Sequence, residues 1–182
     1  YPEFNTTSLY HDMDVSYNED SKVYSLSTTG GDPYIFTKTL TADLPSDSCV
    51  IAFEYRCPKG VSDLQVFFAD PVSESNSART SQIPATIGSE WATFRFNIKN
   101  YRELFGWGKK GDRLRLDFGS ASGVDISIRH FRIRIMTDAE KEQLARADSL
   151  EKAKKTMAQN LTKYLSASYD SKITNVDVSF DT

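Results

Sequence analysis

RLRLDFGSASGVDISIRHFRIRIM, residues Arg113–Met136, decides how the rest of the chain is read. Leu114, Leu116 and Phe118 alternate with Arg113, Arg115 and Asp117, the period of two that one buried and one wet face impose on a strand. Gly119–Gly123 (GSASG) is a turn by composition. Beyond it Val124, Ile126 and Ile128 alternate with Asp125, Ser127 and Arg129. The parity then slips, because the next apolar residues are Phe131, Ile133 and Ile135. One extra residue near Arg129–His130 returns those three to the buried face. The stretch is therefore expected to form a hairpin whose second strand is long, bulged and central. Arg129, Arg132 and Arg134 fall on that strand's wet side and read as a solvated face, not a nucleic-acid stripe.

Upstream, four further segments share the strand pattern. They are Lys22–Thr28, Tyr34–Leu40, Cys49–Cys57 and the run DLQVFFAD, in which Leu64, Val66 and Phe68 face inward. Gly30–Pro33, Leu44–Asp47 and Pro58–Gly60 supply the turns between them. Tyr1–Asn18 is mixed and polar with weak apolar spacing. Pro71–Ser89 is long, serine-rich and nearly without periodicity, and a loop of that length is usually functional or mobile. Trp91–Ile98 resumes the sheet with Phe94, Phe96 and Ile98 buried, which puts Trp91, Thr93 and Arg95 on the other face. In the connection Lys99–Asp112, a helical turn over Tyr101–Phe105 buries Leu104 and Phe105 as a plug, and Gly106–Trp107–Gly108 displays an indole.

The character changes at Thr137. Thr137 and Glu140 form a capping box, and from there to about Ser166 the chain lacks Gly and Pro and carries only a narrow apolar stripe (Ala147, Leu150, Met157, Leu161, Tyr164). Lys172–Phe180 alternates again as a strand. The expected organisation is a β-sandwich over 1–136, a helical linker over 137–166, and the start of a further domain or a terminal strand over 167–182. Many short strands with Gly-, Pro- and Ser-rich turns and no βαβ alternation indicate a mainly β, antiparallel sandwich.

Composition narrows the function classes. The 182 residues suffice for one well-cored domain and an appendage. Nine Tyr and eleven Phe favour β structure, and a net charge of −3 argues against nucleic acid as the principal partner. No apolar run approaches the roughly 18 residues of a membrane helix, and no signal peptide is visible after Tyr1. Cys49 and Cys57 share one parity of a single strand and so stand about 26 Å apart, at roughly 3.3 Å per residue. That span is too long for a disulfide, and two thiols are expected.

The order FEYRCPKGVSDLQVFFADP, a loop, WATFRFNI, then GWGKKGDRLRLDFG and GVDISIRHFRIRI resembles the jelly-roll modules of the galactose-binding-like type that accompany secreted glycan-degrading enzymes of gut Bacteroidetes. The likeness is to the N-terminal modules of Bacteroides glycoside-hydrolase-like proteins, and it covers about Lys22–Thr182. It implies a secreted, periplasmic or cell-surface setting and a downstream catalytic domain in the same chain. Many related jelly rolls hold a structural calcium through carboxylates near the first and last strands. Here Arg129, His130 and Arg132 stand where such a carboxylate would sit, so no cofactor is assigned.

Catalytic motifs are missing: no G-x-S-x-G elbow, H-E-x-x-H, P-loop or Cys–His metal spacing occurs. His11, Asp12 and Asp14 have no specific metal spacing, and His130 falls at the bulge, where a structural role is expected. Glu54 and Asp117 are the carboxylates available for a glycosidase pair, and neither context is distinctive. The fragment is read as non-catalytic. Sugar binding needs aromatic platforms and planar polar partners for hydroxyl groups. Trp107 leads as platform, with Tyr101 and Trp91 next, and Arg79 and Arg115 as hydroxyl partners. Trp107 suits a hydrophobic lid on the sandwich edge equally well, Trp91 suits strand-end packing, and Arg79 an ordinary surface position. The expectation is a carbohydrate-binding accessory module. Its rival is a spacer that positions a downstream hydrolase domain without binding sugar.

Overall fold

The two halves of Arg113–Met136 become the central strands of two different sheets. The computed structural model describes residues 3–80, 82–99 and 101–173. In chain order the strands are β1 (Tyr10–His11), β2 (Met13–Asn18), β3 (Val23–Thr28), β4 (Tyr34–Phe36), β5 (Cys49–Arg56), β6 (Leu64–Phe67), β7 (Ser77–Thr80), β8 (Ala92–Ile98), β9 (Arg115–Phe118) and β10 (Asp125–Ile135). Short 3-10 turns lie at Glu74–Asn76 and Tyr101–Glu103, and helix α1 covers Asp138–Ile173. One sheet has the order β1–β4–β9–β6–β7 and the other β2–β3–β10–β5–β8, with every pairing antiparallel. Their inner faces meet in one core that includes Ile35, Leu64, Val66, Leu116 and Phe118 from the first sheet. Leu26, Ile51, Phe53, Phe94, Ile126 and Ile128 come from the second. The fold is the antiparallel β-sandwich with a C-terminal helix that the alternation indicated.

The expected hairpin is corrected. β9 pairs with β4 and β6, and β10 with β3 and β5, so Gly119–Gly123 is a corner that carries the chain from one sheet to the other. Alternation reports which face is buried and not which strand is the neighbour, so it reads alike for a hairpin and a crossing. Thr28, 2% exposed, pins this corner: its hydroxyl donates to the Ala121 carbonyl at 2.7 Å and accepts from the Val124 N–H at 2.9 Å. Gly119 sits at φ +63°, and a Cβ there would come within 2.7 Å of Ser62 Oγ.

The bulge is where the parity slip placed it, between Arg129 and Arg132, with His130 at φ +55°. Phe131 returns to the core, Ile133 is half-buried, and Ile135, expected inside, is 48% exposed because Met136 takes the last core position. The polar N-terminal segment also yields strands. Asp12, at φ +49°, is the corner between β1 in one sheet and β2 in the other. The Pro71–Ser89 segment contains β7, the edge strand of the first sheet, and Ile83, which bridges Val61. Cys49 and Cys57 are buried free thiols, and burial is the main cause that raises the Cys57 thiol above its ordinary value.

The chain divides between Met136 and Thr137 into two compact units. In the second, Glu140 accepts the Thr137 N–H at 2.9 Å and its own N–H donates to Thr137 Oγ1 at 3.2 Å, the reciprocal cap. α1 continues past Ser166 to Ile173, so Lys172 and Ile173, read as the start of a strand, are helical. The rest of that expected strand lies outside the described residues. Leu150, Met157, Leu161 and Tyr164 are exposed. No described helix is long and apolar enough to cross a membrane.

Two tests follow from the bulge and the division. His130→Val places a β-branched residue in left-handed space and should cost about 1–2 kcal/mol, whereas His130→Gly should cost less. Both variants lose the same imidazole, so equal losses in urea unfolding would show that backbone strain is not what selects the residue. A chain ending at Met136 is expected to keep one cooperative thermal transition. Its disappearance would make α1 part of the sandwich's stability.

Candidate functional site

On the first sheet the outward residues of five strands stand in register. His11 lies opposite Tyr34, Tyr34 opposite Asp117, Asp117 opposite Gln65, and Gln65 opposite Arg79. The next row holds Phe36, Arg115, Phe67 and Ser77. This face exists because each strand alternates. Ile35, Leu64, Val66, Leu116 and Phe118 go inward, which leaves Tyr34, Phe36, Gln65, Phe67, Arg115 and Asp117 outward.

Arg115 is the centre of the face. Its Nε and Nη2 each donate to an Asp117 carboxylate oxygen at 2.7 Å, a bidentate pair between residues two apart on one strand. Its Cζ lies 3.6 Å over the Tyr34 ring and 5.3 Å from the Phe67 ring. Asp32 Oδ1 is 3.7 Å away. Both side chains of the pair are 17% exposed. Burial is the largest influence on each. It lifts the Asp117 carboxyl above its ordinary value against the pull of Arg115. It also lowers the Arg115 guanidinium, but the hydrogen bonds and charge of Asp117 outweigh it and hold that group high.

The neighbouring network fixes the other planar groups. Gln65 is 5% exposed. Its Nε2 donates to Glu74 Oε2 and Ser77 Oγ, both at 2.9 Å, while its Oε1 accepts from Arg79 Nη2. Arg79 Nη1 donates to Asp63 Oδ2 at 2.7 Å, and the Arg79 side chain remains 57% exposed. At the edge, His11 stacks on Tyr34 with ring centres 5.3 Å apart. Phe105 stands beside this sheet, since its N–H donates to the Ser75 carbonyl at 2.9 Å, in the turn that leads into β7. The Phe105 side chain is 78% exposed.

Two expectations about the Lys99–Asp112 connection therefore change places. Trp107, expected on display, is 8% exposed; its ring centre lies 4.7 Å from that of Phe68, and its Nε1–H donates to the Pro45 carbonyl at 2.8 Å. Phe105, expected to plug the core, projects. Arg79 lies on an edge strand and not on a loop. Arg115 sits on the wet face assigned to it. Trp91 is on the opposite side of the sandwich, half-buried, with Arg56 and Arg129 Cζ atoms each 4.2 Å from its ring centre. The Tyr101 side chain lies outside the described residues. Arg79 and Arg115 thus share one face, Trp91 belongs to another, and Trp107 belongs to the core. The sequence does not single out Tyr34, Phe36, Phe67 or Gln65. Gln65 and Phe67 fall on the wet parity of the strand whose inward residues are Leu64, Val66 and Phe68, and Tyr34 and Phe36 lie on a strand to which no face is assigned.

The arrangement offers the half-buried Phe36 ring, planar amide and guanidinium donors, and carboxylate acceptors on one surface, the chemistry that meets the C–H faces and hydroxyl groups of a sugar. Phe67 is 6% exposed, and Tyr34 already carries Arg115 and His11 against its ring. It does not offer a glycosidase pair. Asp117 points outward from the first sheet and Glu54 from the second, so the whole core separates them and they cannot flank one bond.

No protein-family model matches the chain, and no curated protein sequence matches it. Solved structures do. An agarase, AgWH50C, is similar over 75% of this chain and 24% of its own, with TM-score 0.52 and 10% identity. A family 29 carbohydrate-binding module from Piromyces equi matches over 72% of this chain and 85% of its own, with TM-score 0.48 and 15% identity. A carbohydrate-binding module from Cellvibrio mixtus lichenase 5A, in complex with cellotriose, matches over 75% and 96%, with TM-score 0.48 and 12% identity. At these identities the likeness to the agarase concerns the fold.

The exchange of roles is measurable by stability alone. Trp107→Ala should cost about 3–5 kcal/mol, as large aromatic truncations in a core do. Phe105→Ala should stay within about 0.5 kcal/mol, as exposed substitutions do. Urea unfolding of the two variants checks both; a large loss at Phe105 would return it to the core.

Proposed function

We propose that the chain is a non-catalytic carbohydrate-binding module that takes a polysaccharide along the outer face of β1–β4–β9–β6–β7, beside a glycan-degrading domain of a secreted protein. The observation that carries this reading is the preorganised face itself. Tyr34, Phe36 and Phe67 stand among Arg115, Asp117, Gln65 and Arg79, whose polar groups are held by one another and by Asp63, Glu74 and Ser77. The exposed Phe105 lies beside the turn that leads into β7. A site whose side chains are fixed before binding loses little rotamer freedom on taking a long, weakly held ligand. Similarity to a part of an agarase, spanning 24% of that enzyme, supports an accessory position in a larger polysaccharide-degrading protein. In this reading Phe105 replaces Trp107 as the platform, with Arg79 and Arg115 as hydroxyl partners.

The test is a binding screen of the full chain against agarose, cellulose, mixed-linkage β-glucan and cellotriose, by affinity electrophoresis and calorimetry. At least one of these neutral glycans should bind. Phe105→Ala should weaken that binding about tenfold, the loss expected for one aromatic stacking contact by analogy with base stacking, at an unchanged melting temperature. Failure to bind any of the four, or binding indifferent to Phe105→Ala, would favour the spacer that positions a downstream domain without touching sugar.

A further inference from the structure

Helix α1 carries its apolar side chains in a definite register. Ala147, Lys154 and Leu161 are seven residues apart, and so are Leu150, Met157 and Tyr164, the spacing of the a and d positions of a heptad repeat. Glu151, Ala158 and Leu165 then fall at e, and Ala153 and Asn160 at g. The b, c and f positions from Asp148 to Lys163 hold only serine, threonine, glutamine, aspartate and lysine. One side of the helix is therefore wholly polar, and the apolar residues gather on the other. That other side is open, from 56% exposure at Leu150 to 74% at Met157. Most helical stability in proteins comes from packing such a face, so a helix of 36 residues that shows it to water is built for a partner.

The seam itself describes the partner. A parallel, in-register pair of α1 helices would set Lys154 against its own copy, Ala147 against Ala147 and Tyr164 against Tyr164. Two ammonium groups would repel, and the layers would alternate between a gap and a clash. An antiparallel pair sets a positions against d positions instead. With Leu150 opposite Leu161 of the second copy, the same register sets Ala147 opposite Tyr164 and Lys154 opposite Met157, and the two-fold axis repeats each contact. Small meets large at both ends. In the middle the unbranched Met157 accommodates the lysine stem while its ammonium reaches outward. That ammonium is answered within its own helix, since Lys154 Nζ donates to Glu151 Oε1 at 3.1 Å. Glu151 stands at e, on the rim of the seam. No other charged residue occupies an a or d position between Ala147 and Tyr164.

We propose that α1 is a dimerisation element, and that the partner it takes is a second copy of this chain, paired antiparallel through Ala147–Leu165. The paired stretch is about 28 Å long, at 1.5 Å per residue. This contact does not depend on the sugar-binding reading of the first sheet. Such a dimer carries two of the units that precede α1, so a polymeric ligand that reached both would be held with the advantage of two linked sites.

The experiment is sedimentation velocity of the full chain between about 1 μM and about 1 mM, which spans moderate to weak affinities. A monomer should pass into a dimer across that range, with no larger species. Leu150→Glu combined with Leu161→Glu should leave a monomer throughout. Ser149→Glu combined with Gln159→Glu adds the same two charges to the polar side and should leave the association unchanged. Lys154→Leu should tighten the dimer about tenfold or more, the effect of burying one leucine side chain, a gain that a misfolded variant would not show. Orientation is read by disulfide cross-linking under native conditions, where Cys49 and Cys57 are buried and the parent chain serves as the blank. Chains carrying Ala147→Cys and chains carrying Tyr164→Cys should cross-link when mixed and not when oxidised separately. A monomer at every concentration overturns the proposal and leaves the stripe to a partner of another kind. A dimer that survives the two leucine-to-glutamate changes overturns it too, by placing the contact on another surface. Cross-linking of Ala147→Cys chains alone would make the pair parallel, and a Lys154→Leu chain that associates no more tightly would remove Lys154 from the seam; either result overturns it equally.

Discussion

A long strand hydrogen-bonded on both sides must keep its apolar side chains on one face, and β10 does so for eleven residues only because it carries one extra residue. Without the bulge, Phe131 would point to water and Arg132 into the core, where an unpaired guanidinium is expensive to bury. With it, Phe131 lies 4.7 Å from Phe4 and 6.1 Å from Phe53, ring centre to ring centre, and ties the N-terminal segment to the central strands. His130 accepts the left-handed backbone that this requires. The same slip decides the surface. Arg129 and Arg132 are three apart, a spacing that sends two residues of a regular strand to opposite sides, and the bulge puts both outside. The basic character of the second sheet is therefore a consequence of how the core is closed.

Much of this was legible before any coordinates. The alternation in Arg113–Met136 placed β9, β10 and the bulge, and the Cys49–Cys57 pattern placed β5, because a one-sided burial leaves its period in the sequence. What alternation does not encode is the neighbour, and so β9 and β10 read as a hairpin although they serve different sheets. β1 and β2 were lost for a related reason. Met13, Val15 and Tyr17 do alternate with Asp14, Ser16 and Asn18, but the two strands are short and Asp12 breaks the period between them. β7 hid in the serine-rich segment because an edge strand built from Ser77, Ala78, Arg79 and Thr80 has little apolar side chain to show.

The candidate site was legible in part, and the error has a physical source. A tryptophan between two glycines has no bulky sequence neighbours, which suggested display. The glycines serve the opposite purpose. A Cβ on Gly108 would lie 2.8 Å from Leu44 Cδ1 and 2.9 Å from the Phe68 carbonyl oxygen, and Gly106 needs φ +77°. Both positions let the backbone approach the sandwich closely enough to bury the indole between Phe68 and the Pro45 carbonyl. The residue left outside is Phe105, whose amide is tied to Ser75 and whose ring is not. Glycine beside an aromatic residue marks close approach as readily as it marks freedom, and only the neighbouring strands distinguish the two.

The two outer faces show how one fold divides its charges. On the first sheet Arg115 meets Asp117, and Arg79 meets Asp63 and Gln65. Glu74 and Asp32 add further carboxylates beside these pairs, so the arginines of this face are answered from within it, and what it still offers is shape and hydrogen-bonding capacity. On the second sheet Glu54 answers Arg129 and His130, while Arg56 lies over Trp91, whose ring is no counter-ion. Ion pairing between neighbours two residues apart, as in Arg115–Asp117, needs a strand that alternates arginine with aspartate on one parity. β10 carries Asp125, Ser127, Arg129, Arg132 and Arg134 outward instead, so its one acid stands at the end of the strand away from Arg132 and Arg134. The difference between the two outer faces thus lies largely in single positions on two central strands, both contained in the stretch from Arg113 to Met136.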